Sequence, residues 1–357
     1  MRDKALDVES PIDGDACPGI PAHPVELAGS GQRFECREDD TILRAALRGG
    51  LAFPYECNSG GCGACAVQLE QGEVVESWRD APGLPESARQ QGWRLACQSS
   101  VRSLCRIKVR LRPQYQPRVP PRRLRAYLAD VRRLTDDITE FGFRTERVAD
   151  FLPGQYALLH LPGVNGPRAY SMSNLANTDG EWRFIIKRTP AGRGTRVLFE
   201  ELKPGASVWL DGPYGMAYLR TNAPRDIVCV AGGSGLSPML SILRGAVREP
   251  TLEKRTLTLF YGGRTPRDLC TVPVFAADPT LRERVRCIAA ISDESREHAW
   301  DGPRGFIHEV MERTLVERLH DYEFYFCGPP PMTEAMQKML LLKYRVPSGQ
   351  MHFDRFF

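Results

Sequence analysis

Nothing in the 357 residues runs apolar for anything near the ~18 positions that a membrane-crossing helix needs. The chain also lacks an internal repeat, a low-complexity tract and any nucleic-acid-binding motif. Its net charge of +4 is too mild a basic balance to imply a polyanionic partner. The glycine pattern G-x-G-x-x-G with a ribose-binding acid downstream is missing as well, which argues against an ordinary Rossmann dehydrogenase. The opening segment, "MRDKALDVESPIDGDACPGIPAHP", is charged and rich in Pro, Gly and Asp and has no apolar core of the secretory kind. A loose tail over 1–24 and a cytoplasmic location, with no membrane and no nucleic-acid partner, are therefore expected. What remains is ordinary globular composition, 42% hydrophobic and 26% charged, with length for two or three domains.

Cysteine is present in an odd number, eleven, and a long chain with no secretory signal needs no disulfide framework. Cys17, Cys36, Cys105, Cys229, Cys270 and Cys287 are scattered and read as small hydrophobes. Cys57, Cys62 and Cys65 are different. They fall within "YECNSGGCGACAVQL", residues 55–69, among Gly60, Gly61 and Gly63. Glycines cannot fill a core, so this run reads as a loop whose backbone passes close to something. A fourth cysteine, Cys97, follows in "RLACQSS". The pattern C-x4-C-x2-C, then 31 residues, then C is the plant-type spacing of four thiolates around a [2Fe–2S] cluster. Small residues let backbone N–H groups approach the sulfurs. Zinc is the rival, although zinc sites usually pair two short cysteine knuckles.

Three segments follow one another. Residues 25–112 alternate strand-like stretches with one helix signal, "DDTILRAALRGG", where Asp39 or Asp40 can cap, Leu43, Ala46 and Leu47 form a stripe, and Gly49 and Gly50 stop the helix. Residues 113–123, within "RPQYQPRVPPRR", read as an extended, solvated linker. Residues 124–222 carry short β patterns at close spacing, the pattern of a small antiparallel barrel. Over residues 223–357, buried strands ("DIVCVA", "TLTLFY", "VRCIAAIS", "YEFYFC") alternate with helices, which means a doubly wound parallel sheet. In that last segment "AGGSGLSPM", residues 231–239, is a glycine turn from strand to helix whose free N–H groups favour an anion.

On the cysteine pattern, residues 25–112 resemble a plant-type ferredoxin, and the remainder resembles the ferredoxin–NAD(P)H reductase family. The order resembles the NADH-dependent reductase component of multicomponent aromatic-ring-hydroxylating oxygenases of the benzoate dioxygenase reductase type. The resemblance implies an N-terminal β-grasp [2Fe–2S] ferredoxin domain, an antiparallel β-barrel flavin domain and a doubly wound parallel-sheet nicotinamide domain, with Cys57, Cys62, Cys65 and Cys97 as iron ligands.

It also implies roles for individual residues. In "RAYSMSN", residues 168–174, Arg168 would pair with a flavin phosphate, with Ala169 beside it, Tyr170 would pack on the flavin and Ser171 would hydrogen-bond near its reactive edge. In "AGRGTRVLFEEL", residues 191–202, Gly194 and Thr195 would present a helix N-terminus to the pyrophosphate. Gly232, Gly233, Ser234 and Gly235 would cradle the nicotinamide dinucleotide. In "YFCGPPPM", residues 325–332, Cys327 would sit beside the nicotinamide ring, over a floor shaped by Gly328 and Pro329. The terminal "MHFDRFF" would place Phe356 or Phe357 against the flavin or in the nicotinamide gap, the alternative being two apolar residues covering a hydrophobic edge. The cofactors implied are a [2Fe–2S] cluster, FAD and NADH. NADPH stays open, because Arg264 or Arg267 in "YGGRTPRDL" could meet a 2′-phosphate.

Electrons would pass from NADH through FAD and the cluster to a terminal oxygenase component, Rieske-type or diiron, and the chain is expected to be a monomer. Two other readings stand beside this one. The chain could donate electrons to another iron or flavin enzyme, such as a phenol, alkane or amine monooxygenase or a sugar dehydratase. It could also be a redox sensor that retains the cofactors.

Overall fold

The computed structural model describes residues 19–293 and 299–355. Most of the expected tail, with Cys17, and both Phe356 and Phe357 lie outside the described residues. The chain divides into two compact units, one running to Leu124 and including Asp211–Pro213, the other comprising Arg125–Leu210 and the chain from Tyr214.

The first unit is built on strands β1 (Ala22–Leu27), β2 (Arg33–Arg37), β3 (Ala66–Gln71), β4 (Val74–Glu76), β5 (Trp93–Leu95), β6 (Ser99–Val101) and β7 (Cys105–Lys108), with helices α1 (Ile42–Arg48) and α2 (Glu86–Gln90). Five strands form one sheet in the order β2-β1-β7-β3-β5, and β4 pairs β6 separately. β1 runs antiparallel to β2 and parallel to β7. α1 buries Ile42, Leu43, Ala46 and Leu47, the stripe that its spacing predicts. Its cap differs from expectation. Thr41 Oγ1 accepts the Arg44 N–H, while Asp40 spends Oδ1 on the Thr41 N–H and Asp39 pairs with Arg37 and Arg123. A threonine in extended conformation can reach the third amide of the helix, whereas the aspartates are one and two residues too early. Gly49 closes the helix, donating to Ala45 O.

The second unit opens on the strands of a barrel: β8 (Arg122–Arg133, its first residues counted with the first unit), β9 (Ile138–Thr145), β10 (Tyr156–His160), β11 (Arg168–Ser171), β12 (Glu181–Lys187) and β13 (Ser207–Tyr214). Their order is β11-β10-β13-β8-β9-β12. The outer strands meet where Met172 bridges Phe184 and the Ser173 N–H donates to Arg183 O at 2.7 Å, so the sheet curls on itself. The short α3 (Arg193–Arg196) lies between β12 and β13.

The parallel sheet follows: β14 (Asp226–Gly232), α4 (Leu236–Arg248), β15 (Leu257–Gly263), α5 (Thr271–Ala277), α6 (Pro279–Arg284), β16 (Val285–Ile291), α7 (Ile307–Leu315), β17 (Tyr322–Gly328), α8 (Pro330–Gln337) and β18 (Met351–Arg355). The strand order is β16-β15-β14-β17-β18, and every neighbouring pair is parallel. β14 explains why such a strand reads as continuously apolar. Ile227, Cys229 and Ala231 enter a core with Leu236, Met239 and Leu243 of α4, while Val228 and Val230 enter a second core with Val310 of α7 and Met336 of α8. Both faces are covered, so no position along the strand can be polar at low cost. α5 and α6 were not expected from the sequence; Val274 and Leu281 are their anchors in the first of these cores.

Candidate functional site

The cysteine loop lies between α1 and β3. Its glycines are there because the backbone touches itself. A methyl group on Gly63, at φ +76°, would stand 2.5 Å from Gly83 O, and one on Gly83 would stand 2.6 Å from Gly60 O. Only residues without Cβ fit both strands of that contact. The Cys57 and Cys62 thiols lie close enough to perturb one another, as do those of Cys65 and Cys97. The Cys62 contact lowers Cys57 and raises Cys62, while the Cys65 contact lowers Cys97 and raises Cys65.

Further donors reach the sulfurs. Ser59 N–H and Cys62 N–H each lie 3.4 Å from Cys57 Sγ, and Gln98 Nε2 donates to Cys97 Sγ at 3.6 Å, its amide oxygen held by Ser77 Oγ at 2.9 Å. Four thiols with convergent N–H donors would suit the four-cysteine ligation of a two-iron group.

In the barrel, Arg168, Tyr170 and Gly194 come together as the sequence implies. An added Cβ on Gly194 would lie 3.1 Å from Arg168 Cγ and 3.5 Å from Tyr170 Oη. Arg168 is exposed, its Nη1 bonding the carbonyls of Asn165, Gly166 and Pro167, and among the described residues no carboxylate pairs with it. That leaves a preformed cation for an anionic ligand. Ala169 is exposed beside it, and burial pushes the Tyr170 hydroxyl up to about 12, so the phenol stays neutral. The Thr195 hydroxyl is engaged within its own loop, with Thr189 and Gly192. α3 is only four residues long.

Ser171 is buried, and its carbonyl accepts from Ser237 Oγ of α4 at 2.7 Å. The same helix face continues with Ser241 Oγ donating to Asn174 O at 2.7 Å and Arg244 Nη1 donating to Ser173 O at 2.7 Å. Residues 237, 241 and 244 stand at i, i+4 and i+7, one face of a helix. Three side chains of α4 thus grip three carbonyls, those of Ser171, Ser173 and Asn174, in the segment that follows Arg168 and Tyr170.

The two glycine-rich elements of the parallel sheet also meet. β14 pairs with β17 so that Ala231 stands opposite Cys327. A Cβ on Gly235 would sit 2.0 Å from Cys327 O, and one on Gly232 would meet Met332 and Pro329 at 3.1 and 3.2 Å. Gly233, at φ +56°, turns the chain between them, with Ser234 half-buried. Cys327 is 1% exposed, and burial raises its thiol pKa, with the Asp354 carboxylate adding to the shift. Asp354 is the register partner of Cys327 on β18. Sequence reasoning passed over this aspartate, although it lies in the quoted "MHFDRFF". Arg264 is exposed at the end of β15.

Three family models match in succession: the 2Fe-2S iron-sulfur cluster binding domain over residues 25–102, the oxidoreductase FAD-binding domain over 125–218 and the oxidoreductase NAD-binding domain over 229–338. The chain is 44% identical over 326 residues to the ferredoxin–NAD(P)+ reductase CarAd of Metapseudomonas resinovorans, covering 90% of this chain and 96% of that protein. The chain belongs to the ferredoxin–NAD(P)+ reductase family of oxygenase electron-transfer components. It is also 39% identical over 333 residues to the ferredoxin–NAD+ reductase component of the alkene monooxygenase system of Xanthobacter autotrophicus, covering 91% and 98%. Among solved structures, the ferredoxin reductase in carbazole 1,9a-dioxygenase superposes with a TM-score of 0.88 at 40% identity, over 94% of this chain and 99% of that one. The family accounts for the fold and for a reductase using a [2Fe–2S] cluster, FAD and a nicotinamide nucleotide.

Proposed function

We propose that this reductase carries electrons from NADH through FAD and its [2Fe–2S] cluster to the terminal component of an aromatic-ring-hydroxylating oxygenase. The observation that carries the reading is the set of donors converging on the cysteine sulfurs, the Ser59 and Cys62 N–H groups on Cys57 Sγ and Gln98 Nε2 on Cys97 Sγ, in a chain that also brings Arg168, Tyr170 and Gly194 together and sets Gly235 against Cys327. When bound, the flavin supplies exchange between hydride and single-electron chemistry, and the cluster supplies one-electron transfer.

The chain's own residues then have these tasks. The four thiolates hold the irons, and the N–H groups of Ser59 and Cys62 stabilise sulfur charge. Arg168 would hold the flavin phosphate and Tyr170 would pack on the ring system, while Ser171 is held in place through its carbonyl by Ser237. Gly194 admits the close approach of the cofactor, with Thr195 shaping its loop. Gly232, Gly233, Ser234 and Gly235 take the nicotinamide dinucleotide. Cys327, over Gly328 and Pro329, offers a neutral thiol in a dry setting where the nicotinamide ring meets the flavin. NADH rather than NADPH is supported by the alkene monooxygenase relative, a ferredoxin–NAD+ reductase component.

The partner's class is narrowed less by the site than by relatives. Relatives serve dioxygenases and monooxygenases alike, including naphthalene 1,2-dioxygenase and phenol 2-monooxygenase systems, and a cytochrome P450 reductase from Amycolatopsis superposes with a TM-score of 0.80 at 29% identity. A Rieske-type oxygenase is the first reading, and a diiron monooxygenase the second. Among the described residues no helix is long and apolar enough to cross a membrane.

Cys65→Ser is the test. The variant should lose the visible spectrum of the cluster and NADH-driven reduction of cytochrome c, yet keep NADH-driven reduction of ferricyanide. Cytochrome c reduction at the parent rate would refute the order from flavin to cluster.

A further inference from the structure

Arg44 is an arginine in the wrong place for a solvated charge. It lies on α1, is 6% exposed, and has no carboxylate bonded to it among the described residues. Arginine is rarely buried to that degree without a pairing anion. Its Nε donates to Asn58 Oδ1 at 3.4 Å. Asn58 is the residue after Cys57, is 2% exposed, and holds a left-handed backbone at φ +50°. Its amide nitrogen is a buried donor with no partner. A second tie runs from the same helix to the fourth cysteine, because the Leu43 N–H donates to Ala96 O at 3.1 Å, one residue before Cys97.

Two cost-bearing groups, a buried cation and an orphaned buried donor, thus meet beside the cysteine loop. Neither is bonded by an anion among the described residues, and four thiolates around two irons would be a concentrated one. The buried carboxylate of Asp211, in the same unit, feels Arg44 through space but is bonded by Arg48, at 2.5 Å.

We propose that Arg44 is a potential-setting residue: its guanidinium, anchored by Asn58, favours the reduced state of the cluster held by Cys57, Cys62, Cys65 and Cys97. Reduction adds one electron, and so one negative charge, to a group already anionic. A fixed cation in a low-dielectric setting lowers the free energy of that state more than of the oxidised one. The bond to Asn58 keeps the guanidinium from swinging away. The inference rests on the four-cysteine assignment.

The experiment is EPR-monitored redox titration of the full-length, cluster- and FAD-loaded protein with Arg44→Met, Arg44→Lys and Asn58→Gly. Arg44→Met removes the charge and should lower the equilibrium constant for cluster reduction about tenfold, which is 59 mV for a one-electron couple. Arg44→Lys retains the charge and should stay closer to the parent than Arg44→Met does. Asn58→Gly accepts the left-handed backbone, frees the guanidinium and should shift the potential in the same direction as Arg44→Met, by less. A cluster-loaded Arg44→Met protein with the parent potential, or Arg44→Lys falling as far as Arg44→Met, overturns the proposal and leaves Arg44 a packing residue. Should Arg44→Met fail to load its cluster, an unshifted potential in Asn58→Gly overturns it equally. A parent protein with no [2Fe–2S] EPR signal would instead defeat the cysteine assignment, a different failure.

Discussion

Ser237→Ala isolates one contact between α4 and the flavin segment. The Ser237 hydroxyl is 1% exposed, donates to Ser171 O at 2.7 Å and accepts the Ile185 N–H at 3.0 Å. The substitution removes one oxygen and leaves two buried backbone groups short of a partner. Orphaning a buried donor or acceptor costs about 1–3 kcal/mol. The Ile185 N–H loses its bond outright, whereas a carbonyl has a second lone pair to use, so a total of about 2–4 kcal/mol is expected. For a unit of this size each kcal/mol moves the midpoint by about 2–4 °C, which gives a fall of roughly 4–16 °C in thermal unfolding followed by flavin release. The position of Ser171 is lost with the bond, so FAD retention after dialysis should fall in parallel, while the visible spectrum of the cluster stays unchanged. A melting point within a degree of the parent, with full FAD, would refute the view that α4 grips the flavin strand through Ser237.

Two other predictions follow the same logic. Arg168→Ala removes a charge-assisted contact worth about 1.5–3 kcal/mol, so FAD should dissociate about 10- to 100-fold more readily in an equilibrium titration, with cluster content unaffected. The Cys327 thiol pKa is raised in the folded state, so native protein should keep Cys327 unmodified by N-ethylmaleimide at pH 8 while urea-unfolded protein is labelled, as read by peptide mass spectrometry. The sign for stability follows: the advantage of the neutral thiol is complete below its unfolded value of about 8.5 and is lost as pH rises toward the folded one.

Much of the site was legible in the sequence because its parts are local. The cysteine spacing, the glycine turn after β14 and the Cys-Gly-Pro ending β17 each fit within a dozen residues, and each demands residue types that a core or an ordinary turn would not. The strands of the parallel sheet were legible for a related reason, since a strand covered on both faces must be apolar throughout. Short elements fared worse. α5 and α6 have seven and six residues, too few to show a helical period, and they are held by Val274 and Leu281 rather than by propensity. β11 carried the Arg-Ala-Tyr-Ser motif but is four residues long, three of them not buried, so no alternation marks it as a strand.

The contacts that escaped the sequence share a different property: they join residues distant in the chain through polar groups whose value depends on burial. Arg44 lies within a helix pattern that reads as complete without it, because Leu43, Ala46 and Leu47 already account for the buried stripe. Only the fold shows that the arginine is buried as well, fourteen residues from its asparagine partner. Asp354 is similar. On paper it is one charge in a terminal segment, but parallel pairing of β18 with β17 sets it opposite Cys327. Ser237, Ser241 and Arg244 could have been noticed as a polar stripe at i, i+4 and i+7 on a helix otherwise buried, a feature that core packing alone never requires. Such a stripe on a buried helix face must find acceptors, and in this chain the acceptors are the carbonyls of Ser171, Asn174 and Ser173. A polar group placed where burial makes it costly is therefore the sequence-level sign of a long-range tie, and its partner is what the fold supplies.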